Sequence, residues 1–142
     1  MNRLTLTNQV CFPLYALSRQ VTAHYRPLLE QLDLTYPQYL VMLLLWETDN
    51  QSVSAIGDRL LLDSGTLTPL LKRLEQKELV SRTRNMADER QVSIQLTDTG
   101  RALREQAATV PEQLQQRLQL TDQQAISLRD QLVTLLNQLT NE

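Results

Sequence analysis

A chain of 142 residues that is 42% hydrophobic, with 3 Gly and 5 Pro, is sized for one domain and composed for a mostly helical one. A single cysteine (Cys11) and a single histidine (His24) exclude an intrachain disulfide and leave a zinc site without its usual ligands, and no phosphate-cradling Gly-rich loop or Ser/His/Asp signature occurs. No metal, cofactor or enzyme activity is therefore expected. The net charge of −2 speaks against a uniformly basic nucleic-acid binder, and the lack of an 18-residue apolar run or an apolar leader points to a cytoplasmic protein with no membrane association.

In chain order, a first helix is expected over residues 8–32, capped by Thr7 or Asn8, with Pro13 near its first turn, where a missing N–H costs least. Phe12, Leu14, Ala16, Leu17, Val21 and Leu28 give it a wide apolar face, and Leu32 to Leu34 break it. Thr35 caps a second helix with Pro37 in its first turn; the run from Tyr39 to Trp46 is apolar all round and reads as buried core. Ser54 is expected to cap a short third helix over 55–62, and Asp63-Ser64-Gly65 to form the turn and cap of a fourth reaching about Glu78. Leu67, Leu70, Leu71 and Leu74 face inward on the fourth, and Pro69 should loosen its start. Strands follow at 79–84 and 91–96, joined by six polar and charged residues, 85–90. A fifth helix runs from Thr97 or Asp98 to about Arg117, kinked at Pro111. Thr121-Asp122 caps a sixth, whose Leu128, Leu132, Leu135, Leu136 and Leu139 form a stripe that needs a partner.

Helix, turn, helix, then two strands with a charged loop is the layout of a winged helix-turn-helix, so the fold expected is mainly α with a small sheet. Such a module sets one helix in the major groove of DNA and lays its wing along the minor groove. On the fourth helix, Ser64, Thr66 and Thr68 lie at the end that meets base edges, and Lys72 and Arg73 lie one to two turns on, suited to phosphates or guanine. A capped amphipathic helix with a solvated face has the same pattern; the wing at the right distance favours DNA. Residues 66–90 carry six cations, Arg84 among them, against four carboxylates, a small local excess that phosphate contact can use. In the wing, Asp88 beside Arg90 can hold the guanidinium in one pose for a narrow minor groove, where a plain surface ion pair is the blander alternative.

The winged core needs only residues 36–100 of the single 1–142 domain. Segments 1–35 and 101–142 then form a helical dimerisation region, because the simplest partner for their apolar faces is the same faces across a two-fold axis. A two-fold dimer carries two recognition helices and matches palindromic double-stranded DNA. Cys11 sits in the first turns of a helix, where the dipole favours a thiolate, beside Phe12 and one turn from Tyr15. From the residues alone it is either a reactive thiol or a small hydrophobe.

Further motifs narrow the choice. Cys-Phe at 11–12, YRPLL at 25–29, LTYPQY at 34–39, LDSGTLTPLLKR at 62–73 and the DER wing at 88–90 together resemble the MarR family of bacterial repressors, and more narrowly its organic-hydroperoxide-sensing (OhrR) branch, over about residues 8–100. The last forty residues are similar only generically. The resemblance implies that Cys11 is the peroxide-sensing cysteine, that Tyr25 and Tyr36 hydrogen-bond its thiolate, and that Tyr15 is a further aromatic near the sensor. It also implies that Arg90 is the minor-groove arginine with Asp88 its neighbour. The resolving cysteine of some members is missing, which leaves a mixed disulfide with a small thiol, a sulfenamide or over-oxidation as end states. No role carries over to Pro13 or His24. The alternative within the family is a regulator that answers to an apolar or phenolic ligand, with Cys11 inert.

Spacing adds one constraint. Cys11 and Tyr25 are 14 residues apart on one expected helix, about 21 Å at 1.5 Å per residue. If they touch, they do so across a dimer.

Overall fold

The computed structural model describes residues 2–88 and 91–141. A 3-10 turn at Leu6–Asn8 precedes α1 (Cys11–Glu30), α2 (Tyr36–Glu47), β1 (Gln51–Ser52), α3 (Val53–Leu60), α4 (Ser64–Gln76), β2 (Val80–Arg84), β3 (Val92–Leu96), α5 (Asp98–Ala107), α6 (Val110–Arg117) and α7 (Asp122–Thr140). The strands form an antiparallel sheet in the order β1-β3-β2, with Arg82 opposite Ile94 and Arg84 opposite Val92. The class is mainly α with a small sheet, and the helix-turn-helix and wing lie where the sequence pattern sets them.

Several boundaries differ from expectation, each for a local reason. Helix α1 begins at Cys11 rather than at residue 8, and neither Thr7 nor Asn8 caps it. The Asn8 side chain donates instead to the Asn2 carbonyl at 2.7 Å. Ser52, not Ser54, caps α3, accepting from the Ala55 N–H at 3.0 Å. Ser52 also ends β1, a two-residue strand too short to show a period. Helix α4 stops at Gln76, two residues early, because Glu78 turns left-handed (φ 60°) and the Leu79 N–H closes back on the Leu74 carbonyl. The expected kinked helix over 98–117 is two helices: α5 ends at Ala107, and Pro111 falls in the first turn of α6, where proline starts a helix more readily than it bends one.

The caps expected at α2, α4 and α7 are present. Thr35 accepts from the Gln38 N–H while Gln38 reaches back to the Thr35 N–H, and Thr121 and Gln124 repeat this reciprocal box at α7. Asp63 caps α4 by accepting from the Thr66 N–H at 2.7 Å.

Residues 1–108 and 109–142 are two compact units. In the first, α2 is the central helix, with Tyr39, Val41, Met42, Leu44 and Leu45 buried, and Ile56, Leu67, Leu71, Leu74, Ile94 and Leu96 complete the core. Gly100 is where backbones approach most closely: a Cβ there would run into the Leu79 carbonyl, and the Gly100 carbonyl accepts from Trp46 Nε1 at 2.9 Å. Gly100→Ala is expected to lower stability by ~1–3 kcal/mol through overpacking, read as an earlier midpoint in urea with an unchanged slope.

In the second unit, α6 buries Val110 and Leu114, and α7 buries nothing. Its Ile126, Leu128, Leu132, Val133, Leu135, Leu136 and Leu139 are each at least 38% exposed. On α1, Phe12, Tyr15 and Leu17 are exposed in the same way. No helix among the described residues is long and apolar enough to cross a membrane.

Candidate DNA-binding surface and thiol–tyrosine site

Helix α4 is presented by the turn before it. Leu61 is left-handed (φ 56°), and the Leu62 N–H bonds the Gly57 carbonyl at 2.9 Å, which swings the chain from α3 into α4. The Thr66 hydrogen bonds hold the Asp63 carboxyl below its ordinary range, so this cap stays charged and accepting. Leu67, Leu70, Leu71 and Leu74 bury one side of α4. Ser64, Thr66, Thr68, Lys72 and Arg73 are all exposed, and Ser64, Thr68 and Lys72 align at four-residue spacing along one ridge.

Arg84, at the end of β2, is exposed as well. Among the described residues, Lys72, Arg73 and Arg84 have no ion-pair partner, whereas Arg82 is tied to Glu75 at 3.5 Å. Exposed cations of this kind are what phosphate neutralisation uses. The wing closes through the Asn85 N–H on the Gln91 carbonyl (2.9 Å) and the Gln91 N–H on the Asp88 carbonyl (3.0 Å), and its Met86 is fully exposed. Asp88 is exposed. Arg90, the expected minor-groove residue, lies outside the described residues, as does Glu89.

The second constellation is aromatic. Tyr25 and Tyr36 come together with ring centroids 4.7 Å apart, and Tyr39 joins them at 5.7 Å and 6.4 Å. Sequence reasoning did not assign Tyr39 to the site, although Tyr36 and Tyr39 are three residues apart on a capped helix and must share a face. Burial, reinforced by the neighbouring phenols Tyr36 and Tyr39, raises the Tyr25 hydroxyl well above its ordinary pKa; burial does the same for Tyr36 and Tyr39. All three stay protonated at neutral pH and keep an O–H to donate. Among the described residues, no group of the chain takes up the Tyr25 or Tyr36 hydroxyl.

Cys11 is the first residue of α1 and is exposed. Tyr15, one turn on, is 62% exposed and lies under the Arg19 guanidinium, 4.5 Å from its ring centroid. The thiol and Tyr25 are thus on the same helix, separated by 14 residues, roughly 21 Å of helix, while Tyr36 and Tyr39 join the cluster from α2. His24 is exposed; no group of three metal-ligating side chains exists among the described residues.

Comparison with known proteins decides the family. The family model for the transcriptional regulator SarA/Rot matches residues 23–107, a span that includes the tyrosine cluster, α3, α4 and the sheet. The organic hydroperoxide resistance transcriptional regulator of Bacillus subtilis is 46% identical over 138 residues, covering 97% of this chain and 94% of its own length. The chain belongs to the MarR family of transcriptional regulators, on its organic-hydroperoxide (OhrR) branch. Among solved structures, reduced AbfR of Staphylococcus epidermidis bound to DNA is 40% identical, covers 94% of this chain and 93% of that one, and has a TM-score of 0.79. Apo MarR from Escherichia coli, at 26% identity, covers 90% and 97% with a TM-score of 0.72.

Proposed function

We propose that this chain is a homodimeric, redox-sensing repressor. It holds palindromic operator DNA while Cys11 is reduced and releases it when an organic hydroperoxide oxidises that thiol. The observation that carries the reading is an exposed lone thiol opening α1 and a separate cluster of protonated tyrosine donors, in a chain 46% identical to an organic hydroperoxide resistance regulator. The DNA-bound form of a relative in its reduced state supports the DNA-holding half of this reading.

Ser64, Thr66, Thr68, Lys72 and Arg73 of α4 read the major groove and its phosphates. Arg84 adds a phosphate contact, and Arg90, positioned by Asp88, enters the minor groove. The exposed apolar faces of α1 and α7 are covered by a second copy, which places two α4 helices on one palindrome. The protein works in the cytoplasm, with the operator and its inducer.

Tyr25 and Tyr36 of one subunit donate their hydroxyls to the Cys11 thiolate of the other, with Tyr15 nearby. The thiolate sulfur attacks the terminal oxygen of the hydroperoxide; the O–O bond breaks, the alkoxide takes a proton and leaves as alcohol, and the sulfur becomes a sulfenic acid, oxidised by two electrons. The acceptor for the tyrosine hydroxyls has then changed charge and shape. A small thiol can condense with the sulfenic acid, releasing water and leaving a mixed disulfide.

The test uses a palindromic duplex selected from a random pool. Reduced protein is expected to retain it, and one equivalent of cumene hydroperoxide to release it as the mass of the Cys11 peptide rises by oxygen. Oxidised Cys11 with full retention of the duplex overturns the reading. Lys72→Ala is expected to weaken every duplex alike and to reduce the slope of log affinity against log salt by about one, the signature of one lost phosphate contact. A loss confined to one sequence would assign Lys72 to base readout instead.

A further inference from the structure

One side chain ties the end of α4 to the turn that carries Tyr36. Lys77 is the C-cap of α4, and its side chain is 28% exposed. Its ammonium donates to the Asp33 carbonyl and, at 3.0 Å, to Gln38 Oε1, with the Asp33 carboxylate 3.8 Å away. Gln38 is 2% exposed, the buried polar residue among the described residues. The same Oε1 accepts the Thr35 N–H at 3.1 Å in the capping box of α2. A single buried oxygen is therefore shared between the start of α2 and the tip of Lys77.

Tyr36 is the first residue of that helix, and its ring is 4.7 Å from Tyr25. Tyr36 and Lys77 also line one cleft of about 480 Å³, together with Arg26 and Pro37. Asp33 has φ 53°, in the left-handed region that Asp tolerates, and its carbonyl accepts from Lys77. Among the described residues, no other hydrogen bond or ion pair joins α4 to residues 31–38.

We infer that Lys77 is a positioning residue that couples the tyrosine cluster to α4, so that a change at Tyr36 reaches the DNA-reading helix through Gln38 and Asp33. The inference rests on the redox reading above. Its physical basis is that a charge-assisted bond to a buried acceptor, here Gln38 Oε1, is stronger than a neutral one and sensitive to distance. If the bond exists only in the DNA-competent arrangement, it biases the protein toward that state. If it persists in both, it carries the displacement of α2 into α4. In either case its loss brings the affinities of reduced and oxidised protein together.

The experiment measures operator Kd for reduced and for fully oxidised protein, with Cys11 oxidation confirmed by mass. Wild type is read first: if oxidation leaves its Kd unchanged, the redox reading itself fails. Given a wild-type response, Lys77→Met is expected to cut the oxidised-to-reduced Kd ratio at least about fivefold, the lower end of ordinary coupling between sites, and to leave the rate of Cys11 oxidation unchanged. Lys77→Arg, which keeps the charge and can reach the same acceptors, is expected to restore the ratio. A role limited to capping α4 would lower the melting temperature without moving the ratio. An unchanged ratio in folded Lys77→Met overturns the coupling, as does a ratio lost equally in the Arg variant. Should Lys77→Met fail to fold, Lys77→Gln, which keeps a shorter neutral donor, is read by the same two Kd values.

Discussion

Cys11→Ser is expected to stay on operator DNA when organic hydroperoxide is added. Wild type should lose affinity on oxidation by ~5–150-fold, the usual range of coupling between two sites, and the variant by less than about twofold over the same titration. Serine keeps the volume and a hydrogen-bonding group at the start of α1, so reduced-state packing and DNA affinity are retained. Its oxygen cannot attack the peroxide as sulfur does, so no sulfenic acid forms and the tyrosine donors never lose their partner. Because Cys11 is the single thiol of the chain, no other cysteine can substitute for it. Release of the variant by peroxide as complete as that of wild type would place the sensor elsewhere.

A heterodimer with Tyr25→Phe on one chain should show slowed reaction of Cys11 on the other chain. The substitution deletes one hydroxyl and almost no volume. A hydrogen bond to a charged acceptor is worth ~1.5–3 kcal/mol, so the reactive thiolate on the affected side falls by roughly tenfold or more, and its alkylation slows in proportion. The side affected is set by geometry. Tyr25 sits against Tyr36 and Tyr39, while Cys11 opens the same helix about four turns away. Chain-resolved alkylation on differently tagged subunits separates the outcomes. Slowing on the mutated chain sinks the cross-subunit arrangement, and no slowing on either chain sinks the hydrogen bond. Tyr39→Phe, the member that spacing alone did not single out, is the natural companion, since its ring is 2% exposed and packs on both others.

Much of this protein is legible one segment at a time. Thr35, Asp63, Thr97 and Thr121 mark helix starts because a short side-chain oxygen satisfies an N–H that the helix leaves open, a purely local demand. The inward leucines of α4 and the buried Ile94 and Leu96 two apart in β3 follow from the helical and strand periods, while β2 buries only Val80. The exposed set Ser64, Thr66, Thr68, Lys72 and Arg73 is what remains once those leucines are buried. The family is legible as well, because its motifs are runs of adjacent residues.

What the chain alone leaves open are the places where distant segments compete for the same group. Asn8 does not cap α1 because it ends a 3-10 turn and the helix starts only at Cys11, and Ser52 displaces Ser54 because a two-residue strand pairs with β3. The grouping of Tyr39 with Tyr25, and the junction of Lys77 with Gln38 and Asp33, join residues 14 and 39 or more positions apart. By itself, then, the sequence determined a mainly helical winged helix-turn-helix of the MarR family with a lone thiol at the start of its first long helix. Only the tertiary structure decided which tyrosines meet, where α4 stops and which side chain ties it to the tyrosine turn. Caps and periods depend on neighbours a few residues away, whereas these contacts depend on how α1, α2 and α4 pack, which no local pattern encodes.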